Sequence, residues 1–402
     1  MISFTLNDEQ EALRSTVAEF ARDVIAPVIG GYYERGEFPY DIVARMGKLG
    51  LFGLPFPEQY GGMGGDYFAF CLALHELARV DSSVAITLEA AVGLGAMPIF
   101  RFGSAAQKHR WLPELCQGER LAAFGLTEPG GGSDIPGGMR TKARLDGDNW
   151  VIDGSKAFIT NSGTSITSVV TVLALTGGRE AGVAQPARSN GGAGSAGAGR
   201  PEISAIMVPS GTPGFTVGRE YSKVGWCASD TRELAFSDCR VPRDNLLGSP
   251  GRGYAQFLQT LDEGRVAIAA LAAGLAQGCV DESLRYAGER TAFGHELGHY
   301  QAIQFKIADM AARAHVARLA WYDAAARLVA GETFKSQAAL AKLTCSNAAM
   351  DNARDATQIF GGYGFMNEFP VARFYRDAKV LEIGEGTSEV QRMVIARQLG
   401  LA

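Results

Sequence analysis

The sequence predicts an α+β chain in three stretches, helical, then β, then helical again. Three observations carry that expectation. Through the first third, apolar residues recur at three-to-four spacing. Near Leu121 the pattern changes to short runs of β-forming residues with Asp-Gly pairs among them. Near Gly253 it returns to long, alanine-rich segments of helical period. The expected division is an N-terminal helical domain over 1–120, a middle β-barrel or β-sandwich domain over 121–243 and a C-terminal helical bundle over 244–402, with no internal repeat.

The elements follow in order. After Asn7, "DEQEALRSTVAEFARDVIAP" puts Leu13, Val17, Phe20 and Val24 on one face, and Pro27 stops the helix. "PYDIVARMGKLGLFG" and "AFCLALHELARVDSSVAITLEAAVGLGAMPIFRFG" repeat the pattern, separated by loops such as "PEQYGGMGGD". The β region reads "AAFGLTE", "TKARLDGDNWVIDGSKAFITN", "SVVTVLALT", "EISAIMVPS", "FTVGREYSKVGW" and "TRELAFSDCRVP", with tight turns expected at Asp146-Gly147 and Asp153-Gly154. Gly177–Pro201 is rich in Gly, Ala and Ser and has no period, so it reads as a flexible surface loop between strands. The last region holds three long helices. The second places Ile307, Met310, Ala314 and Trp321 on one stripe; the third places Leu340, Leu343, Met350, Ala353 and Ile359.

Composition excludes several classes. Hydrophobic residues make up 47% and charged residues 20%, enough for a large core, and the net charge of −5 without a Lys/Arg block argues against nucleic acid as a partner. No leader pattern opens the chain, and "VAIAALAAGLAQG" is too short and too Ala/Gly-rich for an integral membrane segment. Six scattered cysteines without C-x-x-C read as reduced thiols, hence a cytoplasmic protein with neither a disulfide frame nor a zinc site. The His295/His299 pair sits by glycines and reads as surface or interface, so no metal is expected.

Each candidate motif has a plain reading beside the functional one. In "EIGEGTSEV", Glu385 stands between Gly384 and Gly386; it is either a solvated loop acid before a helix capped by Ser388 and Gln391, or a carboxylate exposed to close approach. "FGLTEPGGGSD" brings bare backbone to a loop that could hold an anion or a flat ring, or simply turns. "KAFITNSG" puts Phe158 and Thr160 on one strand face. Arg290 in "ERTAFG" could hold a phosphate or cap a helix end. "QIFGGYGF" ends a helix at Gly361-Gly362, and "LDEGR" sets acids at a helix start.

Together and in this order, "LTEPGGGSD", "FITN", "ERTAFG", "QIFGGYGF" and "RDAKVLEIGEGTSEVQR" resemble the acyl-CoA dehydrogenase family, over essentially the whole chain and most closely its bacterial short- and branched-chain members. The resemblance implies that family's fold, with a C-terminal four-helix bundle. It implies FAD as cofactor, an acyl-CoA substrate and a trans-2-enoyl-CoA product, in fatty-acid β-oxidation or branched-chain amino-acid catabolism. Glu385 would be the base that takes the Cα proton while Cβ gives hydride to flavin N5; its backbone N–H and a flavin ribityl hydroxyl would polarise the thioester carbonyl.

By the same resemblance, Phe124, Leu126, Thr127, Ser133, Phe158, Ile159 and Thr160 would surround the flavin, with Phe158 where many relatives have Trp. Thr387 and Glu389 would reach the FAD phosphates and adenine side. Arg290, Phe293, Gln301 and Gln358, Ile359, Phe360, Gly361 and Gly362 would hold the FAD of a neighbouring subunit, in a homotetramer built as a dimer of dimers. Ser133, Asp262, Glu263, Gly264, Arg265, Gly384 and Gly386 would border the acyl-CoA. Isovaleryl and long-chain relatives carry their base at the position of Gly264, so this chain's base is at Glu385. The residue matching the glutaryl members' carboxylate-binding arginine is Ala85, which argues against a dicarboxyl substrate. Electrons would pass to an electron-transferring flavoprotein. Two other classes share the fold: an oxidase that passes electrons to oxygen, and an acyl-CoA-binding protein without the base.

Overall fold

The computed structural model describes residues 5–177 and 201–401. The stretch expected as a surface loop, Gly177–Pro201, falls almost wholly outside the described residues. Helices come first: α1 (Asp8–Phe20), α2 (Ile29–Arg35), α3 (Tyr40–Lys48), α4 (Tyr67–Ala78), α5 (Ser82–Glu89), α6 (Met97–Phe102) and α7 (Ala105–Cys116). Asn7 starts α1 with a capping box, its Oδ1 accepting from the Gln10 N–H at 2.8 Å. The apolar run from Ala69 to Gly103 is not one helix. The Asp81 carboxylate accepts from the Ser83 and Val84 N–H groups and begins α5 anew. Between α5 and α6, Ala90–Ala96 is π-helical, a local widening that sits directly after Glu89.

Strand β1 (Leu121–Gly125) leads into one eight-stranded sheet; after the short α8 (Ile135–Gly138) come β2 (Lys142–Asp146), β3 (Asn149–Thr160), β4 (Thr167–Gly177), β5 (Glu202–Pro209), β6 (Phe215–Glu220), β7 (Thr231–Pro242) and β8 (Leu246–Leu247). The order is β6-β7-β3-β2-β4-β5-β8, with β1 parallel to β4. Period-two alternation gives the sheet two apolar faces. Val169 and Leu173, with Ala205 and Met207, pack toward the helices. Val170, Val172 and Ala174, with Ile206 and Val208, build a second core with Trp150 and Phe236. Asp146-Gly147 makes the expected β2–β3 turn, with Gly147 at φ +60°. Asp153-Gly154 does not turn the chain. It lies inside β3 as a bulge against β7, where a Cβ on Gly154 would stand 2.6 Å from Thr141 Cα.

The C-terminal helices are α9 (Gly253–Glu289), α10 (Gln301–Val329), α11 (Lys335–Phe360), α12 (Pro370–Leu381) and α13 (Ser388–Gln398), with a two-stranded hairpin of β9 (Thr291–Ala292) and β10 (His295–Glu296) after α9. α9 is the spine, packing on α4, α10, α11 and α12. Its Gly274 and Gly278, one turn apart, touch α4 backbone to backbone: a Cβ on either would overlap the carbonyl oxygen of His75 or Arg79. Ile307, Met310, Ala314 and Trp321 of α10 are buried as expected. α11 differs. Leu340 is 45% exposed, and the helix instead turns Ala338, Ala341, Lys342 and Cys345 inward. Alanines let the neighbouring helices come so close that leucine at 340 is left outside.

Two helical stretches, Ser82–Phe102 and Gly253–Glu289, are long and apolar enough to cross a bilayer, more than the sequence reading allowed. Their most apolar windows are 89% and 83% buried inside the fold, so their apolar surface faces protein rather than lipid.

His75 sits in the α4–α9–α10 core beside Trp321, with ring centroids 5.8 Å apart and no partner for Nδ1. Burial, with help from the Arg79 cation, pushes its pKa down to about 3. The unfolded chain takes up a proton here below about 6.5, while the folded chain stays neutral to about 3, so stability falls as pH drops through that window. The loss approaches about 1.4 kcal/mol per pH unit. His75→Gln should flatten that dependence by one proton, which melting temperatures between pH 7.5 and 4.5 would register.

Candidate active site

The loop between α12 and α13 carries the sequence's isolated acid. Glu385 has φ +51° and Gly386 φ +89°, so a non-glycine residue is held in the left-handed region. The expected cap by Ser388 and Gln391 is replaced. Thr387 caps α13, its Oγ1 accepting from the Val390 N–H, and Gln391 turns inward to donate to the Gly386 carbonyl at 2.8 Å. This backbone aims the Glu385 side chain into the protein. Its residue is half-buried, but both carboxylate oxygens are shut from solvent, and the hydrogen-bonding group that meets them is another acid, the Glu89 carboxyl. The Glu385 N–H has no acceptor among the described residues. An unpaired donor at such a site needs a reason, and a missing ligand is one.

Four helices form the chamber. On α9, Gly264 faces the carboxylate so closely that a Cβ there would overlap Glu385 Oε2. On α5, Glu89 is fully buried, and its carboxyl hydrogen-bonds with that of Glu385, so the two acids act on each other's titration. On α4, the buried Tyr67 hydroxyl lies near the same acids. On α11, Lys342 Nζ donates to the carbonyls of Leu381 and Gly386, each at 2.8 Å. Burial raises the pKa of Glu385; the Glu89 carboxyl, Lys342 and Arg265 oppose it. Burial drives Glu89 much higher, and the charge of Glu385 adds to that. Both acids are therefore raised together, and their protons come off as a coupled pair. Nearby, Arg265 pairs with Asp262, and Arg101 with the buried Glu263 at 3.3 Å.

The other expected residues fall into two groups. In the β region, Phe124 is buried and stacked on Phe257 of α9 with centroids 3.7 Å apart. Leu126 is buried, Thr127 half-buried and Ser133 exposed. Phe158 is 64% exposed at φ +61°, beside Tyr221, with Thr160 half-buried and Ile159 turned into the core. Sequence reasoning missed what holds the glycine loop in place. The fully buried Lys156 donates to Glu128 at 2.7 Å, and Glu128 accepts from the Arg140 and Thr141 N–H groups. The signal was present in "TEP" and "GSK", but neither residue sits in an apolar period that would flag burial.

The second group surrounds the far end of α9. Arg290, Ile359, Phe360, Gly361 and Gly362 line a cavity of about 480 Å³ with Tyr286 and Tyr363. Arg290 lies over the Tyr363 ring at 5.8 Å. Phe293 is 96% exposed at φ +51°, and Gln301 and Gln358 are exposed as well. Gly264 lies on α9 and Arg290 is its C-cap, roughly 40 Å apart at 1.5 Å per residue. Thr387 and Glu389 open α13, next to the loop that carries Glu385.

The chain matches family models described as the acyl-CoA dehydrogenase N-terminal domain over residues 7–119, middle domain over 123–239 and C-terminal domain over 251–400. It is 46% identical to a probable acyl-CoA dehydrogenase of Bacillus subtilis over 398 residues, covering 99% of this chain and 100% of that one. Butyryl-CoA dehydrogenase from Megasphaera elsdenii superposes with a TM-score of 0.89 at 39% identity, over 99% and 100% of the two chains. A chain from a structure on the electron-transferring flavoprotein of Acidaminococcus fermentans, concerned with flavin-based electron bifurcation, gives 0.90 at 38% identity, over 99% of each.

The contact at Gly264 separates stability from chemistry. Gly264→Ala adds a methyl where only the mobile end of Glu385 is in the way. Alanine favours the helix interior by about 1 kcal/mol, so melting temperature should hold or rise. The displaced carboxylate should lower kcat/KM by about 10²-fold, as a misplacement of 1 Å does. Parallel calorimetry and steady-state assays would separate the two effects.

Proposed function

Because the chain belongs to the acyl-CoA dehydrogenase family, FAD-dependent oxidoreductases acting on the CH–CH bond of acyl thioesters, we propose that it desaturates short acyl-CoAs with Glu385 as the base. The observation that carries this is the Glu385 carboxyl: shut from solvent and facing the bare backbone of α9 at Gly264. Burial raises its pKa and so brings it toward the operating pH as a base. It takes the proton from Cα as the substrate becomes the trans-2-enoyl thioester. The unpaired Glu385 N–H is free to donate to the thioester oxygen, stabilising the enolate-like charge that forms there. Bound FAD would supply the two-electron acceptor for the Cβ hydride.

The residues fit that group. Exposed aromatic Phe158, half-buried Thr127 and Thr160 and the bare Gly130–Gly132 turn offer a flat surface with polar edges; the Lys156–Glu128 pair keeps it rigid. The cavity at Arg290 is too far along α9 for one dinucleotide to reach both it and Glu385. Arg290, Phe293, Gln301 and Gln358–Gly362 therefore hold the cofactor of a second copy, so the enzyme works as at least a dimer and, by family likeness, as a dimer of dimers. An electron-transferring flavoprotein is the acceptor, and β-oxidation or branched-chain amino-acid breakdown the setting. All six cysteines are unpaired thiols, which suits the reducing cytoplasm.

Substrate length follows from Glu89. A buried acid beside the base is costly to cover with methylenes, so the acyl chain ends there. Gly384 leaves room near Cα, bounded by the Trp226 indole 3.9 Å from where a Cβ would stand, and a methyl branch fits that space. Ala85 is buried and apolar, with nothing to meet a distal carboxylate.

Glu385→Gln should leave the fold and FAD binding intact and lower kcat by at least about 10²-fold; flavin absorbance with stopped-flow reduction reads both. Across butyryl-, isobutyryl-, 2-methylbutyryl-, isovaleryl-, octanoyl- and palmitoyl-CoA with one acceptor, substrates of roughly four to five acyl carbons should have the highest kcat/KM. Each misfit methylene should change kcat/KM by about 10–200-fold. Octanoyl- or palmitoyl-CoA coming out best would overturn the pocket-floor role of Glu89.

A further inference from the structure

Lys342 lies in "ALAKLTC", on the face of α11 that is otherwise Ala338, Ala341 and Cys345. A fully buried lysine is rare without a carboxylate partner. Here both hydrogen bonds of Nζ go to carbonyls, Leu381 at the end of α12 and Gly386 just before α13. These two carbonyls bracket the residues that carry Glu385. Each already has a neutral donor: Ser346 Oγ reaches Leu381 O at 3.0 Å, and Gln391 Nε2 reaches Gly386 O at 2.8 Å. A loop clip alone would not need the cation. What the ammonium adds is a positive charge fixed under the carboxylate.

Resting on the reading of Glu385 as base, we propose that Lys342 is its positioning residue: the buried ammonium ties both ends of the base loop and holds Glu385 in its carboxylate form. The charged and titratable groups around Glu385 are Glu89 from α5, Tyr67 from α4, Arg265 from α9 and Lys342 from α11. Around Lys342 are Glu385, Arg265, Glu382 and Glu389. Burial lowers the Lys342 pKa to about 8, so the cation is present at neutral pH, with Glu385 the foremost charge that retains it. Glu385 and Lys342 thus stabilise each other's charged form.

The test is the acidic limb of kcat/KM for butyryl-CoA, which reports the base of the free enzyme. In the holoenzyme, Lys342→Gln keeps two amide donors and loses the charge, so the limb should move to higher pH by about one unit or more. Lys342→Arg should leave it in place, and Ser346→Ala, which loosens the same loop without changing charge, should lower kcat without moving it. A merely structural lysine would give a pH-independent loss in Lys342→Gln. Should Lys342→Gln yield no folded holoenzyme, ¹³Cε resonances of labelled lysine decide instead: Glu385→Gln should lower the Lys342 pKa relative to wild type. An unmoved limb, or an unmoved Lys342 titration, overturns the proposal while leaving the base intact. A Glu385→Gln enzyme with full turnover overturns both.

Discussion

The site depends on keeping one carboxylate dry without letting it take up a proton. Burial alone would neutralise Glu385, since an ionised acid in an apolar chamber is costly. The fold opposes that from several sides at once. Lys342 and Arg265 place positive charge nearby, and the hydrogen bond with the Glu89 carboxyl acts the same way. The left-handed backbone at Glu385 fixes the direction in which the side chain enters, and the absence of a side chain at Gly264 fixes where it ends. These come from α5, α9, α11 and the loop between α12 and α13, so the chamber exists only when those elements are packed together.

A similar device recurs in the sheet. Lys156, as buried as Lys342, meets Glu128, and that acid in turn receives two backbone N–H groups from the chain leading into β2. The pair spans the turn that exposes Gly130–Gly132. Buried lysines thus tie two loops of this protein: one that carries Glu385 and one that carries the glycine turn.

Much of the architecture could be read from residues alone, because the helical and β periods are strong and change abruptly near Leu121 and Gly253. What failed was local. Asp153-Gly154 looks like a turn but is a bulge, because Gly154 has to clear Thr141, which is distant in sequence. On α11, Met350, Ala353 and Ile359 of the expected stripe are buried, but Leu340 was set beside them because leucine outranks alanine and lysine in any hydrophobic count. Close helix packing reverses that order: Leu340 is exposed and Lys342 is buried. Glu385 and Gly264 could be singled out only through the resemblance, and the buried Lys342 and Tyr67 not at all, since their meeting with Glu385 depends on tertiary packing.

The overlap between a side chain at 264 and the carboxylate of Glu385 also bears on how such a site changes over generations. The space is a slot for a single occupant. Moving the acid from the loop to α9 takes two substitutions, and either order passes through a poor intermediate. Losing the loop acid first leaves an empty slot and no base; gaining the helix acid first forces two like charges into one volume.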